Sequence, residues 1–220
     1  MIVERFIERE HLPLQWTDKV GFALGSMDAA HLAHLPVLDG DIFLGLISEE
    51  QLHDVDDENI KLCDARILPL RYFVSKERSV FELLKMFHLG QLTAIPVLEN
   101  NGLYAGYVSA TNVVWKISEM LSANKPGGVI ILEMATEDYH LSEIAQILES
   151  NDLKAWSIIT ENKPDSTLLE VAVKLDKRDL SRAIQTFSRY EYTLLSAEYE
   201  DVHDLKLNDR YDLLMRLLDI

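Results

Sequence analysis

The sequence is poor in several residue types and features, and each shortage excludes something. Its 220 residues include a single cysteine, Cys63, so no intramolecular disulfide can form and no thiolate cluster can hold a metal; a buried, inert thiol in a cytoplasmic protein is expected. Basic residues are scarce, 21 Lys and Arg against 37 Asp and Glu, for a formal net charge of -16. That balance argues against a nucleic-acid partner, because duplex binding is driven by Lys and Arg displacing counterions from phosphates. No apolar run approaches the about 18 residues of a spanning helix. The opening MIVERFIEREH mixes charge with apolar residues and lacks the apolar stretch of a signal peptide. Glycine and proline are few, and with 48% hydrophobic and 26% charged residues the chain has the composition of a globular protein of one large or two ordinary domains.

Catalytic signatures are also missing. The sequence contains no nucleophile elbow, no Walker loop, no dinucleotide fingerprint and no clustered metal ligands, so a non-catalytic role is expected. His31 and His34 have an H-x-x-H spacing, but two ligands are too few for a structural zinc site; a satisfied or exposed pair is the better reading. The acidic run from His53 to Asn59 lacks the glycine and terminal glutamate of a calcium loop and reads as a solvated connector.

What the chain does have is repetition. Val20, Leu24, Leu32, Pro36, Val37 and Leu38 recur at a fixed offset as Val80, Leu84, Leu92, Pro96, Val97 and Leu98; after one extra turn residue, Gly45 and Ser48 recur as Gly106 and Ser109. A repeat of this length is one supersecondary unit. In each copy Val20, Ala23, Leu24 and Met27, or Val80, Leu83, Leu84 and Phe87, keep the spacing of a one-sided helix. Two short β-rich runs follow, Leu35 to Leu38 and Ile42 to Ile47 in the first copy, joined by the hairpin signal Asp39-Gly40. The second copy turns through Asn100-Asn101-Gly102. Thr17 or Asp18 is the expected cap of the first helix, and Trp115 is expected to pack inward from the helix that closes the second copy.

A Pro-bearing strand, a tight turn, then Gly, two apolar residues, Ser and a polar residue that starts a helix resembles the CBS-domain motif, and its doubling over roughly residues 1 to 122 resembles a tandem (Bateman) pair. The resemblance implies first and second CBS repeats over residues 1–60 and 61–123, an adenosine nucleotide (AMP, ATP or S-adenosylmethionine) as regulatory ligand, and no required cofactor. It places adenine beside Leu35-Pro36 and Ile95-Pro96, ribose near Ser48 and Gln51 or Ser109 and Asn112, and Thr17 and Ser75 at the cleft. The family usually has Asp where this chain has Gln51 and Asn112. An amide can still hydrogen-bond, but without the carboxylate's charge-assisted strength.

A purely structural reading stands beside that one. Ser48-Glu49-Glu50-Gln51 is also a capping box, with Ser48 accepting from the third helical amide and Gln51 reaching back to Ser48. Ser109 could cap its helix likewise, though Asn112 is a poorer reciprocal partner. Both readings are compatible, because a helix N-terminus attracts anions. Lys19, Arg71, Lys76 and Arg78 are candidate phosphate partners, or solvated surface charge.

Asn124-Lys125-Pro126-Gly127-Gly128 reads as a linker. Beyond it the element order is βαββαβ, the ferredoxin-like split unit, over residues 129–198, with Leu141, Ile144 and Leu148 on one helix. This region resembles an ACT domain, a module that often binds amino acids. That family usually opens its first helix with glycine, where Tyr139 and His140 stand here; the other reading is a dimerisation module, since an open sheet edge readily pairs. The tail, residues 199–220, carries an amphipathic helix with acidic residues on its polar face, a poor fit to an anionic membrane. The whole layout is similar to acetoin-utilisation-type CBS proteins. The fold class expected is α/β (α+β). Two functions stay open: a small-molecule sensor, as a homodimer acting on an unidentified regulated protein, or a scaffold subunit without nucleotide binding.

Overall fold

The chain divides into two compact units, Met1–Lys116 and Ile117–Ile220. The computed structural model describes residues 1–10 and 13–199; the amphipathic tail helix lies outside the described residues. Among those described, no helix is long and apolar enough to cross a membrane.

The first unit is the repeat. A 3-10 turn, Val3–Phe6, leads into β1 (Leu14–Gln15), α1 (Val20–Ala30), β2 (His34–Asp39), β3 (Ile42–Ser48) and α2 (Glu49–His53). The second copy gives β4 (Val74–Ser75), α3 (Val80–Gly90), β5 (Ala94–Leu98), β6 (Tyr104–Ser109) and α4 (Ala110–Met120). Each copy makes a three-stranded sheet, β1-β2-β3 and β4-β5-β6, and the copies agree residue by residue. Leu14 pairs Val37 in parallel as Val74 pairs Val97. The antiparallel hairpins both shift register after Val37 and Val97, opposite Gly45 and Gly106. The shared core joins Leu14, Val20, Met27, Val37 and Ile47 of the first copy to Ala94 and Tyr107 of the second. The first copy's core therefore reaches into the second through these two residues, and such apolar burial is the main stabilising term.

Several sequence expectations need correction here. The N-cap of α1 is Lys19, which makes no side-chain cap bond. The Asp18 carboxylate instead accepts the Gln15 N–H at 2.7 Å, and Thr17 is exposed. The first amides of α1, on Val20 and Gly21, donate to the carbonyls of Ile60 and Glu58 at 3.0 and 2.9 Å. Main-chain carbonyls of the acidic connector thus satisfy groups that a Ser or Asp side chain normally would. Trp115 points outward, 70% exposed, while Val113 supplies the buried contact of α4. Cys63 is exposed rather than buried.

The second unit is the expected βαββαβ: β7 (Gly128–Ala135), α5 (Leu141–Ser150), β8 (Ala155–Asn162), β9 (Leu168–Leu175), α6 (Ser181–Arg189) and β10 (Thr193–Tyr199). Its antiparallel sheet runs β10-β7-β9-β8, the split arrangement in which the last strand borders the first. β7 buries alternate residues, Ile130, Leu132 and Met134, beneath Ile144, Ile147 and Leu148 of α5 and Ala183 and Phe187 of α6. Gly127 and Gly128 are buried, and the Gly128 N–H donates to the Lys177 carbonyl at 2.9 Å. The end of the Pro-Gly-Gly stretch is therefore the first residue of β7, an interior strand, rather than linker.

Candidate ligand site in the repeat pair

Each copy's lead-in segment runs along the other copy's hairpin. Residues before β4 reach the first copy, where the amides and carbonyls of Leu46 and Leu70 exchange hydrogen bonds at 2.8 and 2.7 Å. Residues before β1 reach the second, where Tyr107 and Glu8 do the same at 3.2 and 2.8 Å. The approach is close at both places. A Cβ on Gly45 would lie 2.7 Å from the Leu70 carbonyl oxygen, and one on Gly106 would lie 2.5 Å from that of Glu8. With φ of 154° and 142°, these positions accept glycine because it has no side chain to collide.

The Ser and amide of the repeated motif hold this crossing together. Ser48 Oγ accepts the Gln51 N–H at 3.2 Å, and Gln51 Oε1 accepts the Ser48 N–H at 3.0 Å, so the capping box forms. Gln51 Nε2 donates to the Leu68 carbonyl of the crossing segment at 2.9 Å. In the second copy, Ser109 Oγ accepts the Asn112 N–H at 3.1 Å and Asn112 Nδ2 donates to the Phe6 carbonyl at 2.9 Å. A carboxylate could not make the bonds to the Leu68 and Phe6 carbonyls, because an ionised acid has no proton to give. The Gln51 and Asn112 amides thus have a structural use in this chain.

The two caps differ in one contact. Asn112 is a methylene shorter than Gln51, and the Ser109 N–H is taken instead by Glu8 Oε1 at 2.8 Å. A residue of the lead-in segment thereby completes the cap that Asn112 does not. Glu8 was not legible in the sequence, since its partner lies 101 positions away and no local pattern marks it.

Two hollows open beside this crossing. One, of about 470 Å³, lies between residues 7–10 and Ser109, Thr111, Asn112 and Trp115. The other, of about 510 Å³, is bounded by Pro13, Gln15, Asp18, Phe22 and Leu35, and shares Glu10 with the first. Both fall in the volume range of small-molecule sites. Ser109, Asn112 and Leu35 thus line hollows. Ile95 is fully buried and Pro36 and Pro96 are buried, and none of the three lines either hollow. Ser75 Oγ donates to Asn100 Oδ1 at 3.3 Å on the turn of the second hairpin; Ser75 and Thr17 border neither hollow.

The candidate basic residues also lie apart from these hollows. Lys76 is ion-paired with Glu99, which raises its pKa, and Arg78 lies 3.7 Å from Glu82. Lys19 and Arg71 are exposed. His31 is the left-handed C-cap of α1, whereas His34 Nδ1 accepts the Thr93 N–H at 3.3 Å, tying β2 to the approach of β5. Burial lowers the His34 pKa below its ordinary 6.5. Tyr104, on β6, has its phenol pushed up by burial, and its hydroxyl has no hydrogen-bond partner among the described residues.

The second unit holds a hollow of about 420 Å³ lined by Glu133, Asp138, Glu143, Tyr192 and neighbours. Tyr192 donates its phenol proton to Glu143 at 3.0 Å; burial first, then that carboxylate, pushes its pKa up to about 12. Lys163 pairs with Glu133 and Glu170. Among the described residues lining the hollow none is basic.

No family model matches the chain. Similar solved structures include a CBS domain pair/ACT domain protein from Thermotoga maritima, 23% identical, covering 55% of this chain and 99% of that one at a TM-score of 0.49. A protein described as an acetoin utilization protein from Vibrio cholerae is 18% identical over 56% of this chain and 95% of its own, TM-score 0.49. CBSX2 in complex with AMP is 18% identical over 54% and 96%, TM-score 0.47.

Proposed function

We propose that this protein is a regulatory, non-catalytic sensor whose repeat pair binds an adenosine-containing small molecule. The observation that carries the reading is the placement of the repeated Ser and amide: Ser109 and Asn112 border a hollow of nucleoside size where the lead-in of one copy crosses the hairpin of the other. Leu35 borders the adjoining hollow and offers an apolar wall for a base. A ligand there would touch the crossing segment as well as the motif, so occupancy would bias how that segment is held. Such a bias is transmitted only if the ligand prefers one arrangement.

The test is titration calorimetry of the full chain with AMP, ATP and S-adenosylmethionine. Binding to one of them, weakened by Ser109→Ala, is the expected result; silence from all three and from adenosine itself at millimolar concentration would sink the proposal. The engagement of both ends of Gln51 within the fold favours a second reading for the first copy alone, as a structural brace without ligand. It predicts that Gln51→Ala changes stability and leaves the affinity unchanged. A homodimer and a regulated partner protein belong to the same proposal, and sedimentation of the free and ligand-bound chain tests the first of these.

A further inference from the structure

The helix α4 has eleven residues, long enough for its N-terminal dipole to favour an anion, although the Ala110 and Asn112 N–H groups already donate to the Thr93 carbonyl and Ser109 Oγ. In this chain that position is already filled. Glu8 Oε1 accepts the Ser109 N–H at 2.8 Å, and the segment carrying it is anchored by two backbone bonds to Tyr107 and by the Asn112 amide on the Phe6 carbonyl. Glu10 lines both hollows and Asp18 the second. Among the described residues lining the two, Arg9 is the one cation, and its Nε is engaged by the Ala105 carbonyl at 3.1 Å. The negative field is felt by a neighbour: after burial, Glu8 and Glu10 help push the Tyr107 phenol up to about 12.

We propose that Glu8 is a specificity-determining residue: its carboxylate occupies the anion position of α4, so the hollow takes an uncharged or positively charged adenosyl compound in preference to a phosphorylated one. The inference rests on the adenosine reading above and narrows it. A phosphate entering beside Ser109 would meet the Glu8 carboxylate at short range and would have to displace a charge-assisted hydrogen bond. A bare ribose meets no such opposition, and a cation meets two carboxylates, Glu8 and Glu10, against the single guanidinium of Arg9. Like charges held close at a partly buried site repel far more strongly than in bulk water.

The experiment is calorimetric titration of the full-length chain and of Glu8→Gln with adenosine, S-adenosylmethionine, AMP and ATP at low salt. Glutamine keeps an oxygen for the Ser109 N–H and removes the charge. The wild type is expected to bind adenosine or S-adenosylmethionine at least about tenfold more tightly than AMP, a factor of the size one removed charge contact supplies. Glu8→Gln should narrow that ratio several-fold by strengthening AMP. AMP or ATP binding more tightly than adenosine in the wild type, or an unchanged ratio in Glu8→Gln, overturns the charge rule and leaves the adenosine reading standing. Failure of all four to bind overturns both. Should Glu8→Gln not fold, the wild-type ratio decides, together with Glu10→Gln, an exposed position where the same but smaller narrowing is expected.

Discussion

At the scale of single residues, the repeat is held by polar atoms whose partners can be swapped one at a time. Asn112→Asp removes the proton donated to the Phe6 carbonyl and sets a carboxylate against it, in a partly buried place. The expected cost is roughly 1–3 kcal/mol of stability, that of an unsatisfied buried acceptor. Gln51→Glu acts on a more exposed bond and should cost about 1 kcal/mol; urea denaturation of both variants checks the order. His34 gives a pH dependence. Its folded pKa lies below 6.5, so the unfolded chain takes up a proton first as pH falls. Its contribution is therefore complete above pH 6.5 and is lost as pH drops through the folded value. Melting temperature should decline between neutral pH and pH 5, and His34→Gln should flatten that decline. These residues were unevenly legible. The Ser48–Gln51 box could be read directly because both partners sit within one helical turn. Glu8 could not be, because its contact is made by tertiary folding. Trp115 misled because an aromatic on a helix suggests burial, and the inward position of α4 is taken by Val113.

At the scale of elements, both sheets are three-stranded and bear a visiting segment from the other copy. The close approach at Gly45 and Gly106 makes these the least replaceable backbone positions of the repeat. Gly45→Ala and Gly106→Ala should each destabilise by more than about 1 kcal/mol, since alanine suffers both the positive φ and the collision. Gly40→Ala, with open space around it and only the turn conformation against it, should cost less. Chemical denaturation of the three variants ranks them. Element order in both units was readable from hydrophobic period and turn residues, because helix and strand spacing are local properties. The crossing of the lead-in segments was not, since a chain with the same periodicity could keep each lead-in on its own copy.

At the scale of the whole molecule, two separate hydrophobic cores, one around Leu14, Val37 and Ile47 and one around Ile130, Val171 and Phe187, predict two calorimetric transitions. A ligand of the repeat pair at 100 times its dissociation constant should stabilise one of them by about 2.7 kcal/mol and leave the other in place. A single transition that moves as a whole would show that the two cores unfold together. The formal charge of -16 also implies that affinity for any anionic nucleotide rises with added salt, as screening weakens long-range repulsion.

The docking of residues 6–8 onto β6 and the start of α4 inverts the order of manufacture. Residues 6–8 are synthesised before the surface that receives them, which is made about a hundred residues later, at a translation speed of roughly 5–20 residues per second. For those seconds residues 6–8 lack the surface on which they dock, so this crossing can form only after β6 and the start of α4 exist.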